Sequence, residues 1–295
     1  MQQLTSAGNH LTSVLRMEHA LRQFAVILQQ HAARQIDASA PLPLPYRTPS
    51  VAGLDWWNLP TRTRLGFERY GELSGAHQAI TMLAKTFHTT DRDWGASDTL
   101  WWRTGGADDE DTFKRQWIYD HRQVIEVAAR TYGIPDSLLA GVAYVEIGGK
   151  PTYLDDAVDV LRQQVPAGAV RHALPYLSAP PDHTSYGPMS IQIRRAADAL
   201  GYDPDTIAYT QRDAIIGSLK DHRQSLFIAA KHLADLKLTT DFATVPPGQL
   251  STAQEALLAA KYNAGPDKAD SSGYGDGQFL PNRARAVAAL SQPPR

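Results

Sequence analysis

One carboxylate interrupts an apolar helical stretch. In IPDSLLAGVAYVEIGG, residues 134–149, Glu146 follows Val142 and Val145 and stands just before two glycines that end the pattern. Desolvating a carboxylate beside such neighbours is costly, so its charge has to be compensated or used. The last turn of a helix adds unsatisfied carbonyls and a partial negative charge, which disfavour the ionised form further. Both effects raise the acid's pKa above the unperturbed value of about 4.3. A glutamate that keeps its proton near neutral pH is equipped to be a general acid. The residues alone leave open a plainer role, a side chain turned to solvent or capping a neighbouring segment.

The other glutamates beyond residue 112 have structural roles at hand. Glu126, between Ile125 and Val127 on a helix with mixed faces, reads as exposed or ion-paired. Glu255 falls three residues after Thr252, the spacing of a capping box. Other chemistries find no support. The chain has no cysteine, which excludes disulfides, thiolate catalysis and Cys-ligated zinc. Its ten histidines include no H-E-x-x-H, and His222 and His232 are ten residues apart, so neither a metal nor a cofactor is expected. GGADDED (105–111) lacks EF-hand spacing, and no P-loop or dinucleotide fingerprint occurs. Ser185 has His183 nearby, but neighbours in sequence seldom form a nucleophile–base pair, and a loop is the expected reading.

The elements that must hold Glu146 are helical. DTFKRQWIYDHRQVIEVAARTY (111–132) has an apolar face through Trp117, Ile118, Val124, Ile125 and Ala128, and Gly133 ends it. Pro135 and Asp136 open the Glu146 helix. Further helices are expected at 75–87, 155–164, 190–200 (opening at Ser190), about 212–236, 251–262 and 281–290, with a loop at 176–184. No alternating strand pattern of useful length is present. Upstream, residues 8–35 carry apolar positions at helical spacing, and 37–49 holds four prolines. All six tryptophans fall within 54–117; they fit either packing anchors or a sugar-binding surface. GGADDED reads as a solvated turn capping the next helix. The expected organisation is all-α: an amphipathic arm and Pro-rich connector at 1–50, an α-helical Trp-rich subdomain at 51–110, and a helical catalytic domain at 111–295.

The chain has 295 residues, 43% of them apolar, which is enough for a proper core. Its formal net charge of −2 offers no long-range field for nucleic acid or an anionic membrane. The longest apolar run near the start, FAVIL, is far short of the roughly 20 residues of a membrane span. The N-terminus shows no secretory signal pattern.

Two later stretches bear on Glu146. SYGPMSIQI (185–193) sets small, flexible residues before an Ile-Gln pair, and KYNAGP (261–266) ends a helix with tyrosine, asparagine and a turn. With IPDSLLAGVAYVE these make three segments in fixed order, and over about residues 112–290 the chain resembles the soluble, lysozyme-like lytic transglycosylases, which cleave the glycan strands of bacterial cell wall. The resemblance implies a lysozyme-like helical domain. It implies Glu146 as general acid and then base, Tyr262 bonding or positioning Glu146, and Gln192 binding the sugar or its N-acetyl group. Asn263, Ser185, Gly187, Met189 and Ile191 would shape the cleft. Cleavage of the MurNAc–GlcNAc β-1,4 linkage would then need one carboxylate, the substrate's N-acetyl group stabilising the oxocarbenium ion and its 6-OH closing a 1,6-anhydro ring, unlike the paired-acid scheme.

The chain departs from the family in two places. Ile147 stands where the family has serine after the glutamate, so a local hydrogen bond is missing or supplied from elsewhere. The interval from Glu146 to Gln192 is long, with a Pro-rich loop at 175–184 that suits a lid or specificity element. It carries Asp155, Asp156, Asp159 and Asp182, any of which, Asp182 foremost, could hold a water opposite Glu146 and make the enzyme an inverting hydrolase. These departures also keep open a different class of function, a non-catalytic peptidoglycan-binding or structural module on the same fold. The expected partners are peptidoglycan strands, with an immunity protein or secretion-apparatus component in prospect. Without a visible signal, action in the periplasm or cell wall implies a dedicated secretion route: an antibacterial effector of the type VI kind, or a phage- or secretion-associated wall-remodelling enzyme.

Overall fold

The computed structural model describes residues 73–89, 92–94, 96–148 and 181–293. The expectations placed on 8–35, 37–49, Trp56, Trp57 and 155–164, with Asp155, Asp156 and Asp159, lie outside these residues. The chain divides into two compact units, Met1–Leu59 and Pro60–Arg295, and everything described belongs to the second.

That unit is essentially all-α. Its helices are α1 (Gly75–Ala84), α2 (Ala96–Thr104), α3 (Ala107–Asp120), α4 (Arg122–Tyr132), α5 (Asp136–Glu146), α6 (Ile193–Ala199), α7 (Tyr209–Lys220), α8 (His222–Leu238), α9 (Thr252–Ala264) and α10 (Leu280–Ser291). Two-residue strands β1 (Ser185–Tyr186) and β2 (Ile191–Gln192) form a small antiparallel hairpin before α6.

The Glu146 helix, α5, lies at the centre. Every residue from Leu138 to Tyr144 is buried, as expected of a helix apolar on all sides. It packs most extensively on α10, and also meets α3, α4, α8 and α9. Gly141 makes room for the Phe279 ring, which precedes α10, because a Cβ there would lie 2.4 Å from it. The entry to α5 is sharp. Gly133 adopts φ +66°, and the Ile134 amide reaches back to the Ala129 carbonyl at 3.0 Å, closing α4 in a Schellman turn. Pro135 then leads into the first turn of α5.

Several boundaries differ from the sequence expectation, each for a local reason. The single helix expected over 111–132 is two, because at His121 the ring nitrogen bonds the Trp117 carbonyl at 2.8 Å and the imidazole stacks on the Trp117 indole. The helix expected over 212–236 also splits. Asp221 leaves helical geometry and its side chain caps α8, accepting from the Arg223 and Gln224 amides. The helix expected to open at Ser190 starts at Ile193, since 185–192 is spent on the hairpin. The capping box before α9 is Ser251 with Gln254, not Thr252 with Glu255. Glu255 is instead buried and gripped by the Arg283 guanidinium at 2.6 and 2.8 Å, with the Ser137 hydroxyl alongside. Helix α2 falls in the Trp-rich region expected to be α-helical, where the sequence assigned it no boundaries.

Ile80, Ala84, Trp94 and Trp102 share one hydrophobic core with α3–α10. Of the tryptophans described, Trp94, Trp102 and Trp117 are packing anchors in that core. Trp101 is 58% exposed, with its indole N–H donating to Asp109 at 2.7 Å. The acidic stretch is more than a solvated turn. Helix α3 begins inside it, Glu110 pairs with Lys114 at 2.8 Å, and Asp111 accepts from the Tyr144 hydroxyl of α5.

Candidate active site

Helix α5 ends at Glu146, and the chain beyond it turns into the core. Ile147 leaves helical geometry and buries its side chain completely. Gly148, at φ +82°, turns the chain against α2 and α3, where a Cβ would press on Lys114, Glu110 and Trp102 at 3.1–3.3 Å. Glu146 itself is half-buried at the end of an apolar helix. Burial pushes its carboxyl above the usual carboxylate range, and outweighs the opposing pull of the Tyr274 and Ser190 hydroxyls and the Lys114 ammonium. The shift has the direction that its apolar sequence neighbours predict.

The hairpin and α9 assemble around this carboxyl. Gly187 occupies φ +71°, and a Cβ would fall 1.7 Å from the Leu219 carbonyl oxygen, so only glycine allows the hairpin to seat on the end of α7. The turn closes through the Ser190 amide, which donates to the Gly187 carbonyl at 3.0 Å. Met189 is buried, and its carbonyl accepts from the Tyr262 hydroxyl at 2.6 Å. Of the two roles the resemblance implied, bonding or positioning Glu146, the direct bond is not made: the Tyr262 hydroxyl braces the hairpin from α9. It still lies within the electrostatic reach of Glu146, and burial together with that charge drives its phenol pKa up.

The hydroxyl that does reach Glu146 belongs to Tyr274, which donates to Oε1 at 2.6 Å. Tyr274 precedes a π-helical turn, Gly275–Phe279, leading into α10, a rare geometry that recurs at functional sites. Gly275 lets that turn approach α9, because a Cβ would lie 2.4 Å from the Ala256 carbonyl. Tyr274→Phe removes a donor that favours the ionised acid. It is expected to raise the Glu146 pKa further and to lower turnover by roughly tenfold. The rate–pH profile measures both, its basic limb moving to higher pH.

Ser185 and Gln192, both expected to shape the site, face each other across the hairpin and are half-buried. Ile191, the neighbour of Gln192 in β2, is buried. Asn263 is exposed at the end of α9, where Arg195 of α6 holds the Tyr262 and Asn263 carbonyls at 2.5 and 3.2 Å. Asp182 stands opposite the Arg194 guanidinium at 3.9 Å, and is not among the groups that act on the Glu146 carboxyl.

Sequence reasoning missed Tyr274, Ser190 and Lys114. Tyr274 carried a signal in its own flanks, the GYG of residues 273–275, whereas Ser190 and Lys114 carried none. His232 packs against the Tyr262 ring, held neutral with its pKa lowered to about 3 by burial and by the Arg195 and Lys231 cations. A cavity of about 500 Å³ lies at the opposite end of α5, bounded by Arg130, Asp136, Ser137, Glu255 and Arg283, away from Glu146. Among the described residues no cluster of His, Asp and Glu could hold a metal, and no helix is long and apolar enough to cross a membrane. Comparison of the chain with protein-family models, curated proteins and solved structures finds no match.

Proposed function

We propose that this chain is a peptidoglycan-degrading glycosidase with a lysozyme-like catalytic domain, cleaving the MurNAc–GlcNAc β-1,4 linkage with Glu146 as general acid and then base. The observation that carries the reading is the convergence on Glu146. A carboxyl whose pKa burial raises receives the Tyr274 hydroxyl at 2.6 Å, and the SYGPMSIQ hairpin and the YNAG end of α9 brace one another beside it through Tyr262 and Met189. A protonated carboxyl so held can protonate a glycosidic oxygen and afterwards deprotonate the attacking hydroxyl. Gln192 supplies an amide for the sugar or its N-acetyl group. The resemblance implies a one-carboxylate route in which the substrate's own N-acetyl and 6-OH groups complete the reaction; Asp182, the foremost candidate for a second acid, faces the Arg194 guanidinium at 3.9 Å.

The test is digestion of purified peptidoglycan with product masses read directly. Anhydro-ended fragments are expected; reducing ends would replace the transglycosylase route by a hydrolytic one, and binding without release would favour a non-catalytic module. The biological setting we propose is attack on a cell wall reached through a dedicated secretion route, as an antibacterial effector or a wall-remodelling enzyme. An effector of this kind would be toxic only when directed to the periplasm.

A further inference from the structure

Of the tryptophans described, only Trp101 stays out of the core. It is 58% exposed, while Trp102 beside it on α2 is 7% exposed. Neighbours on a helix point about 100° apart, so α2 turns one indole inward and holds the next at the surface. A surface side chain ordinarily changes rotamer freely, but this one is fixed at two places. Its N–H donates to the Asp109 carboxylate at 2.7 Å, and its five-membered ring lies against Gly106, where a Cβ would fall 2.3 Å from Nε1. The Gly106 amide in turn donates to the Trp101 carbonyl at 3.0 Å. The turn from α2 to α3 is thus built around the indole, with glycine required against it. What remains exposed of the ring is rigid before any ligand arrives, and rigidity of this kind lowers the cost of binding.

The ring also stands at a telling place. The α2–α3 corner closes on the chain just past the acid: a Cβ at Gly148, two residues after Glu146, would meet Trp102, Glu110 and Lys114, and the Lys114 ammonium lies 5.6 Å from the centre of the Tyr144 ring on α5. Asp109 and its neighbour Asp108 are exposed in the first turn of α3. Their charge repels an anionic lipid surface or a nucleic acid and leaves a neutral sugar unopposed. A carboxylate has about four acceptor positions, so Asp109 can hold the indole N–H and still accept from a hydroxyl. We propose that Trp101 is a glycan-stacking platform. Its exposed indole receives the apolar C–H face of an N-acetylhexosamine ring, Asp109 accepts from a hydroxyl of the same sugar, and the strand is thereby held beside the end of α5. The choice of glycan rests on the glycosidase reading; the rigid presentation of the ring does not.

The experiment measures binding of peptide-free peptidoglycan glycan strands to the full chain carrying Glu146→Gln, so that strands are bound without being cut. The same protein is then tested with Trp101→Ala and with Trp101→Phe, which keeps an aromatic face but loses the Asp109 hydrogen bond. Alanine is expected to weaken binding by roughly three- to tenfold, with phenylalanine in between. In the protein with Trp101 intact, the indole N–H resonance assigned by its loss in Trp101→Phe should move as strands are added, a readout that does not depend on the alanine variant folding. Equal affinity with and without the Trp101 ring, an unmoved indole resonance, or no strand binding at all overturns the proposal. Fragment release by the wild-type chain alongside any of these would leave the glycosidase reading standing without the platform. Weakened binding by Trp101→Ala, in a protein whose wild-type form releases no fragments, would uphold the platform and remove the glycosidase reading instead.

Discussion

Glu146→Gln is expected to leave the protein folded, slightly more stable than wild type at neutral pH, and without glycan-cleaving activity. The loss of activity follows from the role, since an amide has no proton to give a glycosidic oxygen; a fall of roughly 10³-fold or more is the scale for a lost general acid. The stability change has the opposite sign because of how the carboxyl is held. Its folded pKa is raised by burial above the ordinary 4.5. The folded state therefore disfavours ionisation, and stability that is fully present below the unfolded pKa is lost as pH rises through the folded one. Glutamine escapes that cost and still accepts from the Tyr274 hydroxyl. Thermal melts at pH 7.5 should place the variant at or above wild type, with the difference shrinking below about pH 4 as both side chains become neutral. A variant much less stable than wild type at neutral pH would mean that the charge on Glu146 holds the fold together.

The second large effect is expected at Gly187. Alanine there must place its Cβ 1.7 Å from a backbone oxygen at φ +71°, and neither the Leu219 carbonyl nor the left-handed backbone can yield cheaply. Left-handed strain of about 1–2 kcal/mol and overpacking of about 1–3 add to roughly 2–5 kcal/mol. For a domain of this size that lowers the melting midpoint by roughly 5–15 °C. The hairpin carries Met189 and Gln192, so displacing it also removes the Tyr262 brace. Activity is expected to fall by about 10²-fold even at temperatures where the variant is folded. A Gly187→Ala protein with wild-type melting and turnover would show that the hairpin does not seat on α7 as described.

These two residues also mark how far the sequence could be read. Glu146 was visible because desolvation and the helix terminus act on a carboxylate wherever the helix packs, so an apolar run with one late acid already states the direction of its pKa. Tyr262 was visible as part of a segment but not in its contact. Whether a buried hydroxyl turns to a carboxylate or to a carbonyl is decided by how α9 meets the hairpin, a long-range matter. Tyr274 lies 128 residues from the group it bonds, a separation no local pattern spans. Helix existence was readable from periodicity, whereas the breaks at His121 and Asp221 depend on side chains that bond the backbone locally and interrupt an apolar pattern that runs on regardless. Glu255 was misread because Ser251, one residue before Thr252, takes the capping role and leaves the glutamate to a buried pair with Arg283, which only the packing of α10 supplies.

The central claim is that Glu146 donates the proton that breaks a peptidoglycan glycosidic bond. Its most direct test is to incubate wild type and folded Glu146→Gln, side by side, with purified peptidoglycan and to identify the soluble fragments by mass. Release of disaccharide-peptides with 1,6-anhydro ends by wild type, and none by the variant, is the expected result; equal release by both, or none by either, would contradict the account.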